Sequence, residues 1–143
     1  MVCLLPYEPA FEALLLQWIP AFFGYHQSLT GGEGLENGAA LLQAEENLQE
    51  WQQPPSSLYI ILEDKQAAGF IRLYRRGDTV IWIEDIFVEA ASRGRGIASA
   101  AIQAAEKIAA KTPGCRAVCM DVVPAMKTPC RSITGSATAT LAC

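Results

Sequence analysis

Apolar residues in the first third of the chain recur with the spacing of helices. Over residues 8–25 they fall three or four positions apart, which places them on one face of an α-helix. Residues 39–52 repeat this pattern and end before two prolines, so a second helix is predicted after a glycine-rich loop. A short apolar run at 2–7 precedes both helices and predicts a first strand.

The pattern changes to that of strands in the middle of the chain. Three β-rich runs, at 57–63, 67–75 and 79–88, are joined by short polar turns, which is typical of adjacent antiparallel strands. A helical pattern at 97–111 and a strand pattern at 116–123 follow, and this crossover makes its two flanking strands parallel. The order β-α-α-β-β-β-α-β therefore predicts an α/β (α+β) domain with a mixed central sheet and helices on both faces.

Composition narrows the class of protein and of partner. The 143 residues are 51% hydrophobic and 18% charged, as in a single globular domain, and the net charge of −4 does not fit non-specific binding of nucleic acid. The apolar stretch at 11–25 is too short to span a membrane, and no basic residue precedes it as in a secretory signal. The five cysteines and His26 lack the spacing of metal ligands. We expect a cytoplasmic protein with thiol cysteines, no metal, and no nucleic-acid or membrane partner.

The residues that point to chemistry lie in the loop after the third β-rich run. A helix begins directly behind them, and they read Arg93, Gly94, Arg95, Gly96, Ile97 and Ala98. The first N–H groups of a helix are unpaired and bind phosphate, and glycine lets the backbone approach an anion closely. The loop lacks the lysine of a Walker loop and the third glycine of a dinucleotide fingerprint. It predicts an anion site of another kind, with a flexible turn bearing two solvated arginines as the alternative.

The segment from Val88 to Ala98 resembles the pyrophosphate loop of the GNAT superfamily of N-acetyltransferases. The family pattern Q/R-x-x-G-x-G/A is matched by Arg93, Gly96 and Ala98, and the preceding run IWIEDIFV is most similar to the diamine and polyamine acetyltransferase branch. The resemblance covers residues 1–124 and implies transfer of an acetyl group from acetyl-CoA to a small amine. It also implies that the backbone amides of 93–98 hold the pyrophosphate of the coenzyme. The strand end would bind the pantetheine arm through its main chain, at Ile86, Phe87 and Val88.

Two neighbouring carboxylates are the candidates for proton transfer. The amine must lose a proton before it can attack a thioester, and Glu84 and Asp85 lie in an otherwise apolar strand beside the loop. Alternation along a strand predicts that they point to opposite faces. We favour Glu84 as the base, and Asp85 is the second choice or a group that binds a cationic amine. The competing interpretation is that one is an exposed carboxylate and the other is paired with an arginine.

The tail, residues 125–143, does not match the family. GNAT domains continue with an asparagine, a helix whose tyrosine serves as the acid toward the leaving thiolate, and two further strands. This chain has neither asparagine nor tyrosine after residue 124. The neighbouring reading frame permits NEDAMQIYHRLGYRDL, so we interpret the tail as the product of a one-base deletion near the codons of Ala125 and Met126. The alternative is a genuine but disordered tail.

A shifted tail has consequences for activity. The C-terminal helix and last strands would be missing, which uncovers an apolar sheet face and favours a destabilised chain or a homodimer with impaired or absent turnover. The alternative functions are therefore a non-catalytic acyl-CoA-binding domain and, should the loop be only a turn, an unrelated α+β interaction module.

Overall fold

The computed structural model describes residues 1–30, 37–77, 79–120 and 130–132. Within them the predicted order β-α-α-β-β-β-α-β is confirmed, and a sixth strand lies in the tail. The elements are β1 Val2–Pro6, α1 Glu12–Thr30, α2 Asn37–Trp51, β2 Ser56–Glu63, β3 Gln66–Arg76, β4 Val80–Val88, α3 Ile97–Lys111, β5 Ala117–Met120 and β6 Cys130–Ser132.

The strands form one mixed sheet, as predicted. Their order across the sheet is the same as their order along the chain. Neighbouring strands are antiparallel except for β4 and β5, which are parallel and are connected by α3. This connection is the crossover that the sequence pattern predicts.

β6 is an addition to the predicted sheet. A shifted tail predicts that the last strands are missing. Cys130–Ser132 nevertheless pairs antiparallel with β5. A strand of three residues is too short to show a periodic pattern, so its pairing with β5 identifies it. Residues 121–129 and 133–143 lie outside the described part of the chain, and the predictions of a missing C-terminal helix and a shifted or disordered tail fall on them.

Helices cover both faces of the sheet. Trp51 of α2 is buried in a cluster on one face together with residues of α1, and Ala101 and Ala105 of α3 are buried in a second cluster on the other face. The neighbouring residues Ile60 and Ile61 of β2 point into different clusters, and both have 0% of their surface exposed. Burial on both faces explains why β2 is a continuous apolar run rather than an alternating one.

The cysteines differ in part from expectation. Cys3 and Cys119 each take part in a disulfide bond, so the prediction of thiols is wrong for these two. Cys115 has a free thiol. Among the helices that the structure describes, none combines the length and the apolar character needed to cross a membrane.

Candidate functional site

The pairing of β4 with β5 is described for the first half of β4. It runs from Val80 with Ala117 to Ile83 with Met120, and the residues that follow Met120 lie outside the described part of the chain. On its other side, β4 pairs with β3 as far as Val88. The predicted pantetheine-binding residues Ile86, Phe87 and Val88 lie in this second half of β4, where a strand edge would offer N–H and C=O groups to an extended ligand.

A close approach of β3 supports the end of β4. Gly69 pairs with Val88, and a Cβ atom at Gly69 would lie 1.9 Å from the carbonyl oxygen of Phe87. No residue with a side chain fits there without moving the strand. The backbone N–H of Glu89 donates to the carbonyl oxygen of Ala68 at 2.8 Å and extends the contact beyond β4. Gly69 could not be identified from the sequence, because a lone glycine in a strand does not show which backbone lies against it on the neighbouring strand.

A β-bulge changes the predicted geometry of the two carboxylates. Arg72 pairs with Asp85 and Leu73 pairs with Ile83, so Glu84 has no counterpart on β3. An extra residue interrupts the alternation of side chains. Asp85 contacts Arg72 and Glu84 contacts Arg76, and the two arginines are four residues apart on β3 and so share a face. The prediction that Glu84 and Asp85 point to opposite faces is therefore wrong.

Both carboxylates are paired with arginines. Oδ2 of Asp85 lies 2.5 Å from Nε of Arg72, and both side chains are 14% exposed. Oε1 of Glu84 lies 2.6 Å from Nη2 of Arg76, where the side chains are 20% and 51% exposed. The competing interpretation is thus right about the pairing with arginine, which extends to both residues, and wrong about an exposed carboxylate. Arg72 and Arg76 were missed, although their spacing of four in a strand pattern is a signal for a shared face.

The loop between β4 and α3 contains two glycines in the left-handed region. Gly94 has φ +80° and Gly96 has φ +75°, and a methyl group at either position would meet no atom within 4 Å. Gly96 is the N-cap residue of α3, and no side chain caps this end. The first N–H groups of α3 therefore lack helical partners and lie at the positive end of the helix dipole. Unpaired amides of this kind bind anions such as a diphosphate, and no side chain at Gly94 or Gly96 obstructs the approach.

The loop arginines contribute less free charge than the sequence suggests. Nε of Arg93 donates to the carbonyl oxygen of Val88 at 2.8 Å, and the guanidinium lies 5.7 Å from the ring centre of Phe87. Nη1 of Arg95 is paired with Oε1 of Glu63 at 2.9 Å. The arginines thus connect the loop to β4 and β2, and the predicted anion site depends mainly on the backbone amides.

The two residues that open α3 differ in exposure. Ile97 is 2% exposed and packs in the core beneath the helix, so only its backbone can serve a ligand. Ala98 is exposed. The structure thus brings 93–98 together at one helix end and places Ile86, Phe87 and Val88 just before it on the same strand–loop–helix unit. Among the described residues, no group of three potential metal ligands occurs.

Comparisons with known proteins agree with this geometry. A model of the Acetyltransferase (GNAT) family matches residues 17–129. The fold is similar to that of Arabidopsis thaliana NAA60 in complex with a bisubstrate analogue, with a TM-score of 0.60 and 18% identity over 87% of this chain and 77% of that one. An acetyltransferase from Thermus thermophilus gives a TM-score of 0.61 and 19% identity over 84% of this chain and 75% of that one.

A third similar structure contains the coenzyme. It is RimL, a ribosomal L7/L12 alpha-N-protein acetyltransferase, in complex with coenzyme A, with a TM-score of 0.59 and 16% identity over 83% of this chain and 69% of that one. Comparison with curated protein sequences gives no match. The family match covers well over half of the chain, and the chain therefore belongs to the GNAT family of acetyltransferases, acyl-transfer enzymes that characteristically depend on acetyl-CoA.

Proposed function

We propose that this acetyltransferase transfers the acetyl group of acetyl-CoA to the nitrogen of a small amine. One observation carries the proposal. The end of β4 at Ile86, Phe87 and Val88 and the uncapped N-terminus of α3 at Gly96 belong to one continuous strand–loop–helix unit. An extended amide-containing arm fits the strand edge, and a diphosphate fits the helix end. Coenzyme A contains these two groups in one molecule.

The residues present fit the coenzyme and divide its binding between them. Backbone groups of Ile86, Phe87 and Val88 would bind the pantetheine arm, and the amides of 93–98 would bind the pyrophosphate. Open space at Gly94 and Gly96 allows close approach of the anion. The bound coenzyme supplies the acetyl thioester. The arm bound in this way would run along β4 toward the bulge at Glu84.

Glu84 is the base that we favour for the amine. Its side chain is one-fifth exposed and lies at the bulge of β4, two residues before the predicted pantetheine-binding segment at Ile86. A carboxylate there can accept the ammonium proton directly or through one water molecule. Asp85 is the weaker candidate because its partner Arg72 is itself held by other residues.

The choice of acceptor depends on the charges beside Glu84 and Asp85. Similarity to the diamine and polyamine branch rests on the residues around the loop and favours a small amine. The pairing of both carboxylates with arginines weighs against a polyamine, which is bound best by uncompensated negative charge. NAA60 was crystallised with a bisubstrate analogue, and RimL acts on a protein α-amine. Peptides therefore belong in the acceptor panel.

Two measurements test the proposed function. Calorimetry with acetyl-CoA and with coenzyme A measures binding at the loop, and thiol release measures turnover with amino acids, polyamines, simple amines and peptides. Binding with amine-dependent thiol release supports the proposal. Binding without turnover indicates a non-catalytic acyl-CoA-binding domain, which the lack of tyrosine after residue 124 favours. Absence of binding would reject acetyl transfer from acetyl-CoA by this chain.

Three expectations about the whole chain remain proposals. The family match reaches residue 129 and so overlaps the first five residues of the tail at 125–143. We propose that a shifted reading frame produced this tail, and sequencing the gene tests this idea. A cytoplasmic location is tested by cell fractionation. A homodimer is tested by ultracentrifugation of the purified chain.

A further inference from the structure

The two arginine–carboxylate pairs between β3 and β4 differ in how firmly the arginine is held. Arg72 donates to Oγ of Ser56 at 3.0 Å, in addition to its contact with Asp85, and its guanidinium lies 4.8 Å from the ring centre of Trp51. Ser56 and Trp51 are both buried. Groups from α2, β2 and β4 therefore hold Arg72. Asp85 is a structural partner of Arg72. Separating the two would leave each charge unpaired at 14% exposure.

Arg76 is held differently. Its side chain is 51% exposed, and its guanidinium lies 4.7 Å from the ring centre of Trp82 and 5.7 Å from that of Tyr74. The two rings attract a cation whether or not a carboxylate is present. An exposed ion pair contributes only about 0–1 kcal/mol, so another carboxylate can replace Glu84 at little cost.

Glu84 is positioned to change its role when it leaves Arg76. It is the bulged residue of β4 and has no counterpart on β3. Oε1 of Glu84 is engaged by the guanidinium at 2.6 Å. A carboxylate oxygen in such a bond must give up this contact before it can accept a proton from an amine.

We infer that Arg76 binds a carboxylate of the acceptor and thereby releases Glu84 to act as the base. The inference rests on the proposed acetyl transfer and specifies its substrate class, which is an amine that carries a carboxylate close to the nitrogen, as in an amino acid. Glu84 accepts one ammonium proton and releases it to solvent, the neutral nitrogen bonds to the acetyl carbon, and the carbon–sulfur bond breaks. The second proton that the nitrogen loses on forming the amide passes through Glu84 or water to the leaving thiolate. Atoms and charge balance without a further reactant, and each transfer releases one proton to the solvent.

Matched pairs of acceptors test this inference. Each amino acid is compared with its amide, so that the two members of a pair differ only in the α-carboxylate. In thiol release, kcat/KM of the wild-type protein should be about tenfold higher for the carboxylate member, which corresponds to about 1.4 kcal/mol. R76Q should abolish this preference, and R76K should keep part of it. The matched control is R75Q, because Arg75 donates to the carbonyl oxygen of Pro113 instead; its preference should equal that of the wild type.

A binding measurement keeps the inference separate from turnover. Calorimetry of the protein saturated with coenzyme A should detect the amino acid, and R76Q should weaken that binding about tenfold while coenzyme binding is unchanged. Equal rates for acids and amides, in a protein that does acetylate amines, would overturn the inference and leave the proposed function intact. If the wild-type protein bound no coenzyme or acetylated no acceptor, the proposed function would be rejected instead. Unchanged amino-acid binding in R76Q would reject Arg76 as the binding residue.

Discussion

Replacing Gly96 by alanine tests the anion site at α3 directly. The backbone of Gly96 has φ +75° and ψ 14°, where alanine costs about 1–2 kcal/mol. The new methyl group meets no protein atom within 4 Å, so the free protein tolerates it sterically. A bound diphosphate would occupy that same space. Favourable anion–helix contact is worth about 0.3–2 kcal/mol, so its loss raises Kd by a factor of about 2 to 30.

Gly77 provides a matched control for this change. It follows β3 and has φ +68°, again with no atom within 4 Å of an added methyl group. G77A and G96A therefore carry a similar conformational cost in the same protein. Calorimetric titration with acetyl-CoA should give a Kd about tenfold higher for G96A and an unchanged Kd for G77A, with similar falls in Tm. Equal Kd values for the two variants would refute the assignment of the α3 amides to the pyrophosphate.

Three further changes probe the surroundings of the site. G69A should lower the free energy of unfolding in urea by at least about 2 kcal/mol, because its Cβ would lie 1.9 Å from the Phe87 carbonyl oxygen. R72A should lower it by about 2–3 kcal/mol, because Asp85 at 14% exposure loses its partner. D64N should lower the pKa of the N-terminal ammonium toward 8.0 in an NMR titration, because the hydrogen bond from this ammonium to Asp64 raises that pKa. Since the folded-state pKa is raised, the contribution of this pair to stability is present below pH 8.0 and is lost as the pH rises through that pKa.

Each of these changes has its own control. G24A places a methyl group in open space within α1 and should raise stability by about 0.5–1 kcal/mol, in contrast to G69A. R76A removes a half-exposed arginine and should cost less than about 1 kcal/mol, in contrast to R72A. Equal losses for the two arginine variants would contradict the difference in how they are held. An unchanged ammonium pKa in D64N would contradict the ion pair with Asp64.

Local sequence was sufficient to predict the helices and strands and to point to the loop at 93–98. Helical and strand periodicities depend on residues a few positions apart, so the order β-α-α-β-β-β-α-β and the parallel crossover could be predicted. The two glycines before α3 have positive φ values, which is the conformational freedom that suggested an anion site at 93–98. These features are encoded within short segments and need no knowledge of what packs against them.

The tertiary structure decided how the two carboxylates are arranged. Alternation along β4 alone puts Glu84 and Asp85 on opposite faces, but a bulge exists only in the pairing of two strands. The partners Arg72 and Arg76 belong to β3, and Trp51 belongs to α2, so their contacts depend on chain folding over distances that no local pattern records. For the same reason β6 became visible only through its pairing with β5. Sequence by itself determined the elements and the predicted anion site at 93–98, and packing between elements determined which carboxylate pairs with a mostly buried arginine and which with a half-exposed one.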